Sequence, residues 1–333
     1  MRKVLITGTA GFIGFHLAKL LLDEGFRVQG YDGMTDYYDV RLKQRRHQAL
    51  LQHPNFTALE GMLEDQPKLD AVADAFQPKL IVHLAAQAGV RYSLEQPRAY
   101  LDANVIGSFN VMEVARRHQV QHLLMASTSS VYGANEDMPF AETDKADTQL
   151  TIYSATKKAT ESMGHAYAHL WQIPTTMFRF FTVYGPWGRP DMALYKFVEA
   201  ILKGQPLDIY NHGQMYRDFT YVTDLVRGIR LLIDAVPVQG APVEGDSLSP
   251  AAPWRVVNIG NSTRIKLTDF VDAIEQATGR TAIRNHMPMQ KGDVPATWAD
   301  ASLLKRLTGY QPQTDVKDGI RAFVAWYRDY YDI

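Results

Sequence analysis

Cysteine is absent from the 333 residues. That excludes disulfide bonds, thiolate nucleophiles and cysteine-held zinc, and it fits a reducing compartment. A charge excess of either sign is also missing: 35 Lys and Arg stand against 36 Asp and Glu, a formal net charge of −1. No overall field therefore draws the protein toward nucleic acid or a membrane surface, and an anionic ligand must be held by a local pocket. No apolar run reaches the length of a membrane helix. The opening Met1–Gly8 segment has a basic start, but its apolar stretch is short, breaks at glycine and meets no small-residue cleavage site. It reads as a first strand, with the cytoplasm as the expected location. What is present, 46% hydrophobic and 21% charged residues, supplies an ordinary globular core.

Short β-rich runs alternate with amphipathic stretches through the first half of the chain. The strand candidates are 3–7, 27–31, 55–59, 80–84, 121–126 and 175–180, and the helical patterns are 12–24, 39–52, 97–118 and 151–171. That rhythm predicts an α/β fold, a Rossmann-like doubly wound parallel sheet with helices on both faces. Val4-Leu5-Ile6 and Leu80-Ile81-Val82 are continuously apolar, as strands buried on both faces must be. After Tyr184-Gly185-Pro186-Trp187-Gly188-Arg189-Pro190 the texture changes, so a smaller α/β C-terminal substrate domain is expected from about residue 181. Residues 236–254 read as an exposed loop.

Thr7-Gly8-Thr9-Ala10-Gly11-Phe12-Ile13-Gly14 follows the first strand and opens a helix. Glycines 8, 11 and 14 let the backbone turn sharply and approach a pyrophosphate, which a helix N-terminus stabilises with free N–H groups. Asp32 closes the second strand, where a ribose diol needs an acceptor, and its charge would repel a 2′-phosphate. NAD is therefore expected rather than NADP.

Tyr153-Ser154-Ala155-Thr156-Lys157 places Tyr153 and Lys157 four residues apart on one helix face. A phenol with its free pKa of about 10 is a poor base at neutral pH, and a neighbouring ammonium favours the phenolate. Such a pair alone is common by chance. The segment Leu123–Gly133 gives it context: an apolar strand running into the hydroxyl-rich turn Ser127-Thr128-Ser129-Ser130, at the strand end where α/β sheets bind ligands.

The Gly-x-x-Gly-x-x-Gly spacing with Phe12-Ile13, the hydroxyl turn and Tyr153/Lys157 together resemble the extended short-chain dehydrogenase/reductase family. The resemblance covers nearly the whole chain and is most specific to its UDP-glucuronate 4-epimerase branch. It is carried by His83–Ser93, Gly185–Ala193, Met215–Tyr221 and Gly292–Ala296. It implies Thr128, Tyr153 and Lys157 as catalytic residues and a tightly bound, recycled NAD. Cofactor contacts are implied for Gly8, Gly11, Phe12, Ile13, Gly14, Asp32, Leu63, Leu84, Ala85, Ala86 and Asn104. Substrate contacts are implied for Arg91, Ser129, Ser130 and Thr182, with Arg189 and Arg217 on the diphosphate. Asp293 is to hold a UDP ribose hydroxyl or a phosphate-binding arginine. The resemblance makes 1–180 the NAD-binding domain and 181–333 the UDP-sugar-binding domain, with segments near 218–260 returning to the first. It also implies a homodimer built on 97–118 and 151–171, with Ala115, Ala159 and Ala166 small enough for close packing.

Thr182 stands where UDP-glucose 4-epimerases carry Asn, and Ser129-Ser130 stand where decarboxylases carry Glu and 4,6-dehydratases an Asp-Glu pair. A non-catalytic NAD-binding scaffold is disfavoured because both Tyr153 and Lys157 are present. Two departures remain. Met62 replaces an Asp that binds the adenine amino group in relatives, leaving Leu63 to pack on the ring and Asp65 as a candidate substitute acceptor. Gly33 replaces a common Asn. His165 and His169 have metal-ligand spacing, but no Glu completes a zinc motif and no metal site is expected. The aromatic run Trp326–Tyr331 reads as a C-terminal helix docking its apolar face.

Overall fold

In the computed structural model, which describes residues 1–290 and 292–333, seven parallel strands make the central sheet. In chain order these are β1 (Lys3–Thr7), β2 (Arg27–Asp32), β3 (Phe56–Glu60), β4 (Leu80–His83), β5 (His122–Thr128) and β6 (Thr175–Phe180). Beyond them come β7 (Thr182–Tyr184), β8 (Pro206–Ile209), β9 (Tyr216–Tyr221), β10 (Trp254–Ile259), β11 (Arg264–Lys266), β12 (Ile283–His286) and β13 (Ala296–Thr297). The sheet order is β3-β2-β1-β4-β5-β6-β10. Every residue of β4 and β5 is buried, which is why those strands are written without polar alternation. The order reverses between β1 and β4, so the loops leaving these two strands diverge and open a crevice at their carboxyl ends.

Each face of the sheet carries its own apolar layer. On one side Phe15, Leu17 and Leu21 of the helix Phe12–Asp23 pack with Val226 and Ile229 of the helix Val222–Leu232. On the other, Leu69, Val111, Val114 and Tyr167 cover Leu5, Ile81 and Leu123. A third cluster, rich in aromatics, gathers Tyr184, Tyr195, Phe219, Phe270, Phe323 and Tyr327 below the crevice. There the C-terminal helix Val316–Tyr331 buries Ile320, Phe323, Val324 and Tyr327.

Three elements differ from the sequence reading. The expected helix over 97–118 is broken into Pro97–Tyr100, a wide π-helical turn Leu101–Ile106 and the helix Gly107–Arg117, and a separate turn of helix, Tyr92–Glu95, precedes it. Gly107 permits the join, since a Cβ there would lie 2.5 Å from that of Leu63. The stretch 236–254 is not simply a free loop. Asp246 and Arg255 form a buried ion pair at 2.9 Å, and two helix histidines grip the segment: His165 shares a 2.7 Å hydrogen bond with the Ser249 hydroxyl, and His169 Nδ1 lies 2.7 Å from the Ala251 carbonyl. This docking is what those histidines do. The sheet's seventh strand, β10, lies beside β6 and comes from far along the chain, where its short apolar run carried no distinguishing signal.

Candidate active site

The crevice is a cleft of about 1150 Å³ at the carboxyl ends of β1, β2, β4, β5 and β6. Its floor is the turn after β1. A Cβ on Gly14 would sit 2.0 Å from the Gly8 carbonyl oxygen, and one on Gly8, whose φ is +85°, 2.7 Å from the Ala85 nitrogen. Side chains are therefore excluded, and the helix Phe12–Asp23 begins at the cleft with no side-chain cap on its first N–H groups. That cradle fits a dinucleotide pyrophosphate. Asp32 accepts from the Ala10 N–H and the Met34 N–H, both at 2.9 Å, and its carboxylate still faces the cleft with lone pairs for a diol. Phe12, Ile13, Leu63, Leu84, Ala85 and Ala86 line the same space.

Asn104 does not line it. Its side chain is fully buried and holds the loop after β4 in place, accepting the Gln87 N–H at 2.8 Å and donating to the Gln87 carbonyl at 3.0 Å. It shapes the cofactor wall from behind instead of touching the cleft, because the π-helical turn aims it inward. Asp65 is likewise committed elsewhere: it accepts the Lys68 N–H and caps the helix Gln66–Phe76. The two departures near the adenine position are one feature, since a Cβ at Gly33 would meet Met62 Sδ at 2.5 Å. Met62 occupies the space that a side chain at 33 would need.

Thr128 ends β5, and its hydroxyl accepts the Ser130 N–H at 3.1 Å, which turns the chain so that Ser129 and Ser130 face the cleft. Opposite, Thr151 caps the helix Ile152–Trp171 by accepting the Ser154 N–H. The helix thereby starts at the cleft wall and presents Tyr153 and Lys157 from its first turns. Burial pushes the Tyr153 phenol up, opposed by the nearby Thr128 hydroxyl and by the charge of Arg189. Burial brings the Lys157 ammonium down to about 8, with Glu161 opposing. Lys157 is thus a cation poised near neutrality, one helical turn from a phenol that needs help to ionise.

Glu161, one turn beyond Lys157, carried no recognisable signal in the sequence. It is buried, accepts bidentate hydrogen bonds from Arg179 at 2.9 and 2.8 Å, and takes the Ser127 hydroxyl at 2.6 Å. This ion pair fixes β5 and β6 immediately behind the hydroxyl turn and holds the Glu161 carboxyl down at about 2. Ser127, at the cleft wall, thereby commits its hydroxyl to Glu161.

The outer half of the cleft is lined by Arg91, Thr182, Arg189, Arg217 and Asp293. Arg189 forms two hydrogen bonds to Asp191, at 3.0 and 2.5 Å, and Asp191 also accepts the Tyr37 hydroxyl at 3.2 Å. Arg217 donates to Asp293 at 2.9 Å and to the Val294 carbonyl at 2.8 Å. Arg91 is exposed, with its guanidinium 4.8 Å from the Tyr210 ring centroid. Fixed guanidinium groups in a partly closed cleft suit a diphosphate. Tyr37 and Asp191 were not foreseen, because their partnership spans 154 residues of chain.

The sequence matches the GDP-mannose 4,6 dehydratase family over residues 5–323. It is 56% identical to a probable UDP-glucuronate 4-epimerase of Rhizobium meliloti over 99% of this chain and 98% of that protein. UDP-glucuronate 4-epimerase 2 of Arabidopsis thaliana is 42% identical over 99% of this chain and 76% of its own length. Among solved structures, the UDP-glucuronic acid 4-epimerase of Bacillus cereus, in complex with UDP-glucuronic acid and NAD, superposes with a TM-score of 0.89. That match has 29% sequence identity and covers 99% of this chain and 100% of the other.

Proposed function

The chain belongs to the GDP-mannose 4,6 dehydratase family of extended short-chain dehydrogenases/reductases, and within it we propose the NAD-dependent 4-epimerisation of UDP-glucuronate to UDP-galacturonate. The observation that carries this reading is that Thr128, Tyr153 and Lys157 all line the glycine-floored cleft, with Thr182, Ser129 and Ser130 lining the same space and no acid in the turn after Thr128.

The cofactor supplies reversible hydride storage, so that carbon 4 is oxidised to a ketone and reduced again from its other face without net redox change. Tyr153 accepts the proton of the 4-hydroxyl and later returns it. Thr128 hydrogen-bonds the reacting oxygen, and the Lys157 ammonium favours the phenolate. The 4-keto-uronate is a β-keto acid, which loses CO₂ if its carboxylate bond aligns with the carbonyl π system. Thr182, Ser129 and Ser130, with Arg91, hold that carboxylate out of alignment by hydrogen bonds. Arg189 and Arg217 grip the diphosphate, and Asp293 orients Arg217.

Residues 1–180 form the NAD-binding domain and 181–333 the UDP-sugar domain, the stretch near 218–260 returning to the first. The helical face with exposed Leu101, Ile106, Phe109, Leu170 and Trp171 is the homodimer surface, and Ala159 and Ala166 lie on it, whereas Ala115 is wholly in the core. No described helix is long and apolar enough to cross a membrane; the cytoplasm is the proposed compartment.

The test is to incubate purified protein with UDP-glucuronate, UDP-glucose and UDP-xylose and to analyse the sugars. Interconversion of UDP-glucuronate and UDP-galacturonate alone is expected, and no interconversion of any of the three sinks the reading.

A further inference from the structure

Arg46 is the largest fully buried side chain, and among the described residues no carboxylate pairs with it. Its guanidinium instead binds oxygens from three separate segments. One terminal nitrogen donates to the Ala10 carbonyl and to the Tyr38 hydroxyl, both at 2.8 Å; the other donates to the Trp187 carbonyl at 2.5 Å and, more weakly, to the Gly188 carbonyl at 3.4 Å. Its Nε has no partner. A buried guanidinium without an anion is costly, so such an arrangement persists where it fixes geometry or meets a charge brought by a ligand.

Each of the three segments belongs to the site. Ala10 lies in the glycine turn with both of its backbone polar groups held: Asp32 accepts its N–H, and its carbonyl accepts from Arg46. Tyr38 adjoins Tyr37, whose hydroxyl reaches Asp191. Trp187 and Gly188 immediately precede Arg189. Trp187 takes a left-handed φ of 61°, and its ring is wedged between Phe15 and Trp326, each 5.5 Å away. The preceding Pro186 carbonyl is bound by His16 at 2.9 Å. The loop that delivers Arg189 is thus registered directly against the turn that cradles the dinucleotide.

We propose that Arg46 is a positioning residue that couples the two ligands: by locking the glycine turn to the Arg189 loop, it makes occupancy by a UDP-sugar slow the release of NAD. The inference rests on the cofactor and substrate classes proposed above. A ligand that orders the Arg189 loop stabilises, through Arg46, the same placement of Ala10 that the dinucleotide requires, and the coupling is reciprocal.

The experiment measures NAD release from the holoenzyme with and without saturating UDP. In the unaltered protein UDP slows release about tenfold, a typical size for such coupling. Arg46→Lys keeps the charge but cannot span three segments, and the ratio falls to near one. Arg217→Ala, which weakens UDP without touching the clasp, keeps the full ratio once UDP is saturating. If the lysine variant does not fold, Trp187→Leu loosens the same loop and carries the same expectation. An undiminished ratio in the folded variant overturns the proposal. A ratio near one in the unaltered protein overturns it too, separately from the epimerase reading, which sugar interconversion decides.

Discussion

The guanidinium of Arg217 and the carboxylate of Asp293 meet at 2.9 Å across 76 residues of sequence, on the wall of the cleft. Arg217 comes from β9 and Asp293 from the loop before β13, which pairs with β9. Asp293 therefore orients a cation.

Asp293→Ala should raise KM for UDP-glucuronate about ten- to hundredfold, because Arg217 loses its orienting partner while remaining largely buried. The kcat should change little, since the chemistry occurs elsewhere. Steady-state kinetics decides it: a drop in kcat with KM unmoved would place Asp293 in the chemical step instead.

Thr182→Ala should increase UDP-pentose formed from UDP-glucuronate about tenfold, the worth of one hydrogen bond to a charged group. Product analysis by chromatography measures the ratio of pentose to UDP-galacturonate. An unchanged ratio would count against any role for Thr182 in restraining the carboxylate.

Lys157→Met should cost about a thousandfold in activity and at the same time stabilise the protein. Burial holds the Lys157 ammonium at about 8, below its usual 10.5, so between these values the unfolded chain binds the proton more tightly. Lys157 therefore destabilises the fold at pH 7 by on the order of 1–3 kcal/mol, and this cost disappears as pH rises from about 8 past 10.5. Thermal unfolding at pH 7 and at pH 10 should show the variant's advantage mostly lost at the higher pH.

Glu142 predicts the opposite slope. Its buried carboxyl accepts the Asn258 N–H at 2.8 Å, and burial lifts it to about 7. The folded state holds this proton better than the unfolded chain, so the stability it adds is complete below pH 4.5 and is lost as pH rises through 7. Glu142→Gln should lower stability little at pH 5 and leave it flatter than the unaltered protein between pH 5 and 8. Parallel melting curves across that range would sink the assignment.

The features legible in the sequence are those whose physics is local. A run of apolar residues buried on both faces writes a parallel strand; glycines at 8, 11 and 14 write a turn that excludes side chains; four residues put Tyr153 and Lys157 on one helix face. Each needs only neighbours within a turn or two.

The remaining features were decided by pairings between distant segments. Asn104 sits behind the cleft wall because a π-helical turn aimed it at Gln87, and Asp65 became a helix cap. β10 joined the sheet edge from beyond residue 250. Arg46 reached Trp187 across 141 residues, Tyr37 reached Asp191 across 154, and the Glu161–Arg179 ion pair closed behind the hydroxyl turn. Sequence by itself determined the sheet, the cofactor turn and the spacing of the reacting groups, because backbone sterics and helix geometry act over a few residues. Which cation met which oxygen was left to the tertiary structure, since burial makes such a partner necessary and only the packing of remote segments supplies it.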